Sequence, residues 1–171
     1  MRVLKYLLFF SAVLSLQACV HWGEDDDVAY IYESQYEPIT QTRGAFEEEI
    51  ELQTLRPISQ AGKVYVKEQY ILINESEEGF HIYNNSNPET PEAIAYLKVP
   101  GATDLAIRGN TIFVHHFVDL VAIDFNIYTQ SIQGISRSSN VFPRLNSPDG
   151  FRADYFDVPA DHVIIGYQLK N

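Results

Sequence analysis

The chain has 171 residues, with 12 Lys and Arg against 23 Asp and Glu, and a formal net charge of −11. So acidic a chain repels the phosphates of nucleic acids and anionic lipid headgroups, which argues against nucleic-acid binding. There is one cysteine, so no intramolecular disulfide can hold the fold together.

The N-terminal segment predicts an export signal. Met1–Lys5 carries two positive charges, and Tyr6–Leu16 is an almost wholly apolar run of 11 residues. A cationic start before an apolar run of this length is typical of secretory signal peptides, and the run is too short to span a bilayer as a helix. We therefore predict that residues 1–18 form a signal peptide. Its removal would change the net charge to −13, because Arg2 and Lys5 are lost.

A motif typical of lipid attachment ends the apolar run. Leu16-Gln17-Ala18-Cys19 resembles a bacterial lipobox, although Gln17 departs from the small residue that is usual there. The resemblance implies that Cys19 becomes the first mature residue and carries the lipid. Each buried methylene of an acyl chain contributes roughly 0.8 kcal/mol, so several chains anchor stably. We expect an outer membrane lipoprotein of the cell envelope, periplasmic or surface-exposed, that contacts the membrane through the lipid on Cys19.

Residues 19–60 are predicted to be the lipidated cysteine and its tether. Glu24–Asp27 is a block of four carboxylates, which is typical of a solvated segment. An acidic cluster at this place also resembles the signal that sends lipoproteins to the cell surface in the phylum Bacteroidetes. Further on, the pattern of Gly44–Leu52 fits either a short helix or an extended segment. Pro57 ends either one.

From residue 61 the sequence changes to the period of two that is typical of β-strands, so the predicted β domain comprises residues 61–171. Short runs rich in β-branched and aromatic residues are separated by turn-forming residues. They predict four strands in the first 41 residues of the domain: Lys63–Lys67, Tyr70–Asn74, Gly79–Tyr83 and Ala93–Val99.

The strand pattern then repeats with a shift of 41 residues. Val64 falls on Leu105, Ile71 falls on Ile112, and Gly79–Ile82 falls on Leu120–Ile123, with no gap from residue 63 to residue 126. The two predicted units comprise about residues 61–101 and 102–142. A period near 41 with about four short strands per unit is typical of β-propeller blades.

The second unit contains a motif that resembles a known family. Leu120-Val121-Ala122-Ile123-Asp124 resembles the LVIVD repeat, a propeller-type repeat of bacterial surface proteins, and Asn85–Gly101 with Thr103–Asn110 is similar to lipoproteins of that group. The resemblance implies an all-β fold: two propeller-like antiparallel blades, an incomplete or partial β-propeller, after a signal peptide and flexible tether. Most members have no assigned activity, and they are usually longer than this chain.

Two blades are fewer than the four to eight of a propeller, so their exposed sheet edges need an explanation. Three explanations stay open: the chain is a truncated product of a longer gene, copies self-assemble, or residues 127–169 cap the two sheets. His162–Leu169 is also predicted as a strand. It could begin a third unit, and the N-terminal segment could lend a strand.

No catalytic, cofactor-binding or metal residue is predicted, and the chain is not expected to be an enzyme. His115 and His116 are adjacent on a strand, so they point to opposite faces and cannot share one metal. We expect one to be packed and the other solvated. Polar residues near strand ends are expected to satisfy backbone donors at turns: Asp104, Asp124, Asn85 and Asn126.

The expected function is a lipid-anchored binding or scaffolding module with a protein or glycan partner. The loop at residues 136–161 carries aromatic side chains, and it is either the ligand-contacting stretch or a connector between blades that these side chains pack in place. One alternative is an envelope enzyme that acts on polysaccharide with carboxylates of residues 143–161. Convergence of four side chains in a cleft would favour it: Asp149, Asp154, Asp157 and His162. The other alternative is a truncated fragment of a longer LVIVD-repeat lipoprotein.

Overall fold

The computed structural model describes residues 32–126 and 128–171, and its strands and helices lie within the unit Ser34–Asn171. This unit is all-β, with three antiparallel sheets, none of which closes on itself. Its first elements are β1 (Tyr36–Thr42), α1 (Arg43–Glu47), β2 (Glu51–Gln53), β3 (Ala61–Lys67), β4 (Tyr70–Glu75), β5 (Gly79–Asn84) and β6 (Glu92–Lys98). The others are β7 (Leu105–Arg108), β8 (Thr111–His116), β9 (Asp119–Asn126), β10 (Ser131–Ser138), a 3-10 turn (Ala153–Tyr155) and β11 (His162–Leu169).

Two of the sheets are built from consecutive strands. The first sheet has the order β2-β6-β5-β4-β3, and the second sheet has the order β10-β9-β8-β7. Each therefore contains a four-stranded antiparallel meander, preceded in the first sheet by the short strand β2. The four predicted strands of the first unit are confirmed, and the second unit has four strands as well, with a hairpin turn at Gly109-Asn110 between β7 and β8.

The repeat is present in the structure, with one correction to its alignment. Strands β4 and β8 correspond with the predicted shift of 41 residues. The following turns differ in length, because Glu75 pairs with Gly79 whereas His116 pairs with Asp119. The shift in the next strand is therefore 40, and Phe80 corresponds to Leu120 rather than to Val121.

Alternation along the strands gives each of these sheets two faces. The back face of the first sheet carries Tyr65, Leu72, Phe80, Ile82 and Leu97. The front face of the second sheet carries Leu105, Ile107, Ile112, Val114 and Ile123. These ten side chains belong to one hydrophobic cluster, so the back of the first sheet packs on the front of the second.

The faces that meet in this core are not equivalent in the repeat. Ile112 and Val114 correspond to Ile71 and Ile73, which lie on the front face of the first sheet, away from the core. The second sheet is therefore stacked on the first in the same sense, front against back. A two-fold arrangement of the repeats would instead bring equivalent faces together.

The third sheet joins the two ends of the described unit, because β1 pairs with β11 from Tyr36↔Leu169 to Thr42↔His162. The predicted strand His162–Leu169 is confirmed, but it pairs with the N-terminal strand and does not begin a third meander. The folded unit also begins well before the predicted boundary at residue 61. The segment before that boundary supplies β1 and β2 and buries Phe46 against Val118 and Val163.

The two forms predicted for Gly44–Leu52, a short helix and an extended segment, occur one after the other. The helix α1 begins after Thr42, whose hydroxyl accepts a hydrogen bond from the Ala45 N–H at 3.4 Å. The chain is then extended from Glu51. The loop after β10 is irregular apart from the 3-10 turn, and the Phe142 N–H donates to the Val118 carbonyl at 2.8 Å. No helix in the described ranges is long and apolar enough to cross a membrane.

Candidate functional site

A cleft of about 100 Å³ opens between the first and second sheets at one end of the molecule. The β3–β4 and β7–β8 hairpin turns and the β9–β10 connection surround its mouth. Its floor is formed by apolar side chains of both sheets: Leu72, Ile82, Ile107, Ile112 and Phe125. The cleft is thus the open end of the core, and a volume of this size accepts one small apolar group.

Polar and aromatic groups line the mouth of the cleft. Lys67 forms an ion pair with Glu68 at 2.9 Å, and the Asn110 side chain lies in the opposite turn. Tyr70 is buried in the wall, whereas Tyr128 is 77% exposed at the rim. An apolar floor below a few polar groups and aromatic rings suits a ligand with an apolar end and hydrogen-bonding groups behind it.

The opposite end of the second sheet contains a buried ionic cluster around Asp119. The fully buried Asp119 carboxylate accepts hydrogen bonds from Arg43 at 2.6 Å, from Arg137 at 3.0 Å and from the Asn140 N–H at 2.8 Å. Burial raises the pKa of Asp119, but these hydrogen bonds outweigh it and hold the pKa below its ordinary value. The cluster fastens α1 and the end of β10 to the β8–β9 turn.

The buried His116 belongs to the same cluster. Its Nδ1 lies 3.1 Å from Nη1 of Arg137, which can only donate, so Nδ1 accepts and the neutral ring carries its proton on Nε2. That Nε2 faces the Glu49 carboxylate at 3.6 Å. Burial, with the positive charge of Arg137, lowers the pKa of His116 to about 3. The imidazole is therefore neutral and packed, with no accessible lone pair for catalysis.

A second buried cluster lies at the corresponding end of the first sheet. The Glu75 carboxylate accepts hydrogen bonds from the Ser59 hydroxyl at 2.7 Å, from the Ser59 and Gln60 N–H groups, and from Nε2 of His81 at 2.9 Å. Burial raises the pKa of Glu75, but these hydrogen bonds outweigh it and lower the pKa to about 2. Nearby, the Arg56 guanidinium lies 4.5 Å from the centroid of the Tyr96 ring.

The two clusters occupy equivalent places, because Glu75 and His116 share one repeat position on the front faces of their sheets. Each cluster binds a segment that is not part of the meander. Residues 54–60 cross the front of the first sheet, and residues 43–49 lie on the second. The clusters therefore fasten connecting segments and do not form an open catalytic site.

The histidine prediction is confirmed for His116, which is buried, whereas the adjacent His115, expected to be solvated, is half-buried. His115 receives a hydrogen bond from the Thr103 N–H at 3.3 Å and contacts the Phe142 ring. Two turn predictions are also confirmed, because Asp104 accepts from the Leu105 N–H and Asn126 accepts from the Tyr128 N–H. Within the described residues, no group of three or more His, Cys, Asp or Glu could hold a metal ion.

Three of the four candidate residues of the polysaccharide-enzyme alternative have separate partners. Asp149 accepts from Ser34, Ser147 and the Gln35 N–H, which ties the loop to the start of β1. Asp154 faces Arg144 and Arg152, and His162 contacts Asp161. Cys19 and the predicted signal peptide lie outside the described residues.

Sequence reasoning missed the cleft and both ionic clusters. The cleft residues appeared in the sequence only as core positions and turn residues. One sequence signal for the cleft was available. The turns at Glu68-Gln69 and Gly109-Asn110 share one position in the repeat, which places them at the same end of the two sheets. Arg43 and Arg137 gave no signal, because they lie 76 and 18 residues from Asp119.

No family model matches the chain, and no curated protein matches it. Two solved structures of a Trichoderma reesei protein of Carbohydrate-Active Enzymes Family AA12 are similar, an iodide structure and a calcium structure. Both have a TM-score of 0.38 and 14% identity, and they cover 69% and 67% of this chain. The chain spans about a third of their length, 33% and 30%. Such a likeness is too low to support an inference about fold family or activity.

Proposed function

We propose that this chain is a lipid-anchored binding or scaffolding module of the bacterial cell envelope, of β-propeller type and related to LVIVD-repeat lipoproteins. Its binding site is the cleft between the two repeat sheets. The partner is a protein or a glycan that inserts a small apolar group between the sheets and contacts the rim of the cleft.

One observation supports the propeller-type assignment more than any other: the two meanders stack front against back. Blades related by rotation about a common axis pack in this way, so every blade covers its neighbour with the opposite face. The two meanders show this front-against-back packing. Ile112 and Val114 are buried on the front face of the second sheet, and Leu72 and Ile82 are buried on the back face of the first.

The position of the cleft supports a binding role. Its mouth is formed by hairpin turns that a rigid meander holds in place, and loops on a rigid scaffold commonly carry binding residues. The apolar floor is continuous with the core, so a ligand group that enters leaves water without displacing buried protein hydrogen bonds. The exposed Tyr128 ring is available to stack on a sugar or to pack on an apolar side chain.

The cleft is tested by titrating the full chain with two probes, 4-nitrophenyl glycosides and N-acetylphenylalaninamide. Both carry a benzene ring for the floor and polar groups for the rim. We expect saturable binding of one probe, about tenfold weaker in Tyr128→Ala, which corresponds to about 1.4 kcal/mol. The matched control is Tyr155→Ala, because this tyrosine is 48% exposed and lies outside the cleft.

The same titration separates binding from catalysis. The proposal predicts that 4-nitrophenyl glycosides release no 4-nitrophenol above the rate in buffer. Release that depends on the protein would favour the polysaccharide-enzyme alternative. Equal affinities of the two tyrosine variants for a bound probe, or no saturable binding of either probe, would contradict the proposed site.

The anchor is tested separately, by growing expressing cells with radiolabelled palmitate. We expect label on the full chain in the membrane fraction and no label on Cys19→Ser. Equal labelling of both proteins would contradict the assignment of Cys19 as the lipidated residue.

A further inference from the structure

The front face of the first sheet is an apolar surface on which no other sheet of the described residues packs. Val64 and Val66 on the edge strand β3 are 59% and 70% exposed. Next to them, Ile71, Ile73 and Tyr83 are only half-buried. These five neighbouring side chains form the open front patch, which lies beside a solvent-facing strand edge of the kind that pairs or packs with another surface.

The equivalent residues of the second sheet show what such a patch binds. In the repeat, the five positions of the open front patch correspond to Leu105, Ile107, Ile112, Val114 and Ile123. All five belong to the main core, where the back face of the first sheet covers them. Leu105 is 8% exposed, whereas its counterpart Val64 is 59% exposed. The open front patch is therefore a copy of a surface that is covered by a back face within this same molecule.

The segment that crosses the first sheet does not close the open front patch. Residues 54–60 cover only the end of the front face that contains Glu75 and His81. The second sheet has a segment in the same place, because residues 43–49 cover the His116 end of its front face. The first sheet still packs on the remainder of that front face. Such a segment is thus compatible with a sheet stacked beside it.

The chain also carries an open surface of the complementary kind. The back face of the second sheet has Ala106, Phe113, Leu120 and Ala122 at the positions of Tyr65, Leu72, Phe80 and Ile82 in the first sheet. Ala106 is exposed, and Phe113, Leu120 and Ala122 are half-buried. This open back patch is smaller and less bulky than its counterpart, which predicts a weaker interface than the intramolecular one.

We propose that the open back patch of a second copy of this chain packs on the open front patch of the first. Copies then stack head to tail, front against back, as the two sheets do within one chain. The interface is heterologous, and rotation from blade to blade closes it into a ring. Two copies would supply four meanders and three copies six, both within the usual range of propellers. The inference goes beyond the proposed binding function and does not depend on the cleft.

The test uses the full chain carrying Cys19→Ser, so that shared micelles do not hold copies together. Val66→Lys alters the front patch and Ala106→Lys alters the back patch. Both sites are exposed on edge strands, so the substitutions leave the fold intact. Leu169→Lys is the control, because Leu169 is 60% exposed on β11 and belongs to neither patch. Mass is measured by sedimentation velocity from 1 to 200 μM at 150 mM salt.

We expect closed oligomers of the parent protein and of Leu169→Lys at the upper concentrations, and monomers of each patch variant alone. An equimolar mixture of Val66→Lys and Ala106→Lys should form a 1:1 complex and nothing larger, because each variant keeps one of the two patches intact. This complementation is specific to a heterologous interface.

Three results would overturn the proposal: a parent protein that stays monomeric at 200 μM, patch variants that associate like the parent, or a mixture of the two variants that does not associate. Monomers of the parent would mean that another molecule, or a further repeat of a longer protein, covers the open front patch. The cleft titration with Tyr128→Ala is independent of these outcomes.

Discussion

The ring of Phe46 stacks on the imidazole of His116, with centroids 3.9 Å apart and planes within 1° of parallel. The guanidinium groups of Arg43 and Arg137 lie 5.3 and 5.2 Å from the Phe46 centroid. A five-residue helix has little stability of its own, so this stack and the ionic cluster beside it hold α1 on the second sheet.

Phe46→Ala should therefore destabilise the whole unit. Phe46 is fully buried, and Phe→Ala substitutions in cores cost about 3–5 kcal/mol. The free energy of unfolding, measured with urea, should fall by that amount. Phe142→Ala is the control, because Phe142 is 39% exposed and its ring contacts His115 outside the Phe46 stack. A loss in Phe46→Ala no larger than that in the control would contradict the role of the stack.

The buried His116 should make the protein less stable in mild acid. The unfolded imidazole binds a proton near its ordinary pKa of about 6.5, whereas the folded one does so only near 3, so protonation favours unfolding. The stabilisation is complete above pH 6.5 and declines as the pH falls toward 3. The slope for one proton is about 1.4 kcal/mol per pH unit.

Between pH 6.5 and 5, the free energy of unfolding should fall by about 2 kcal/mol in the parent protein. His116→Gln should have a lower stability at pH 7 and a smaller fall over this interval, because its side chain does not titrate. Urea unfolding at four pH values measures both quantities. Parallel pH profiles of the two proteins would contradict this explanation.

Glu75→Gln should loosen the segment of residues 54–60. The groups that bind the Glu75 carboxylate are all hydrogen-bond donors. A glutamine amide in its place would turn its own N–H₂ donor toward one of them, on Ser59, Gln60 or His81. We expect a loss of about 1–3 kcal/mol in the free energy of unfolding at pH 7. Glu78→Gln is the matched control, because Glu78 forms an exposed ion pair with Arg56 and should change stability by less than about 1 kcal/mol.

The carboxylate of Glu75 also predicts a second, more acidic fall in stability. Its pKa is lowered from about 4.5 to about 2, so its contribution is complete above pH 4.5 and is lost as the pH falls toward 2. Glu75→Gln should lack this fall. If Glu75→Gln and Glu78→Gln lose stability equally at pH 7, the Glu75 cluster does not hold the segment.

Gly79→Ala should be far more harmful than Gly109→Ala. Gly79 has a φ of +149°, and a Cβ atom there would overlap the carbonyl oxygen of Leu97 in the neighbouring strand. Gly109 also has a positive φ, +60°, but a Cβ atom there meets open space. We expect about 1–2 kcal/mol of strain at Gly109 and a larger loss at Gly79, measured as the shift in thermal midpoint. Equal shifts would contradict the close approach of the two strands.

The strands of both meanders could be predicted from the sequence, because their side chains alternate and their turns contain Gly, Asn or charged residues. The register of the strand after the β4–β5 turn could not be predicted. Phe80, His81, Ile82 and Tyr83 are all apolar or aromatic, so their pattern does not reveal a slip of one residue. The extra residue is visible only as the longer turn between Glu75 and Gly79.

The parts outside the repeat were less predictable because their partners are distant in sequence. The strand at His162–Leu169 was evident from its composition, but its pairing with Tyr36–Thr42 depends on contacts across more than a hundred residues. The cluster of Arg43, Asp119 and Arg137 likewise joins three segments that show no common motif. The acidic composition gave no indication of this buried cluster, since single charged residues in such a chain are normally solvated.

The most direct test of the account is the stacking order of the two meanders, measured by nuclear Overhauser contacts between assigned methyl groups. Front-against-back stacking predicts contacts from Leu72 and Ile82 to Ile107 and Ile112, with none from Ile71 or Ile73 to those residues within a monomer. Methyl contacts from Ile71 or Ile73 to Ile112 in dilute monomeric protein would mean that equivalent faces meet, and would contradict the propeller-type assignment.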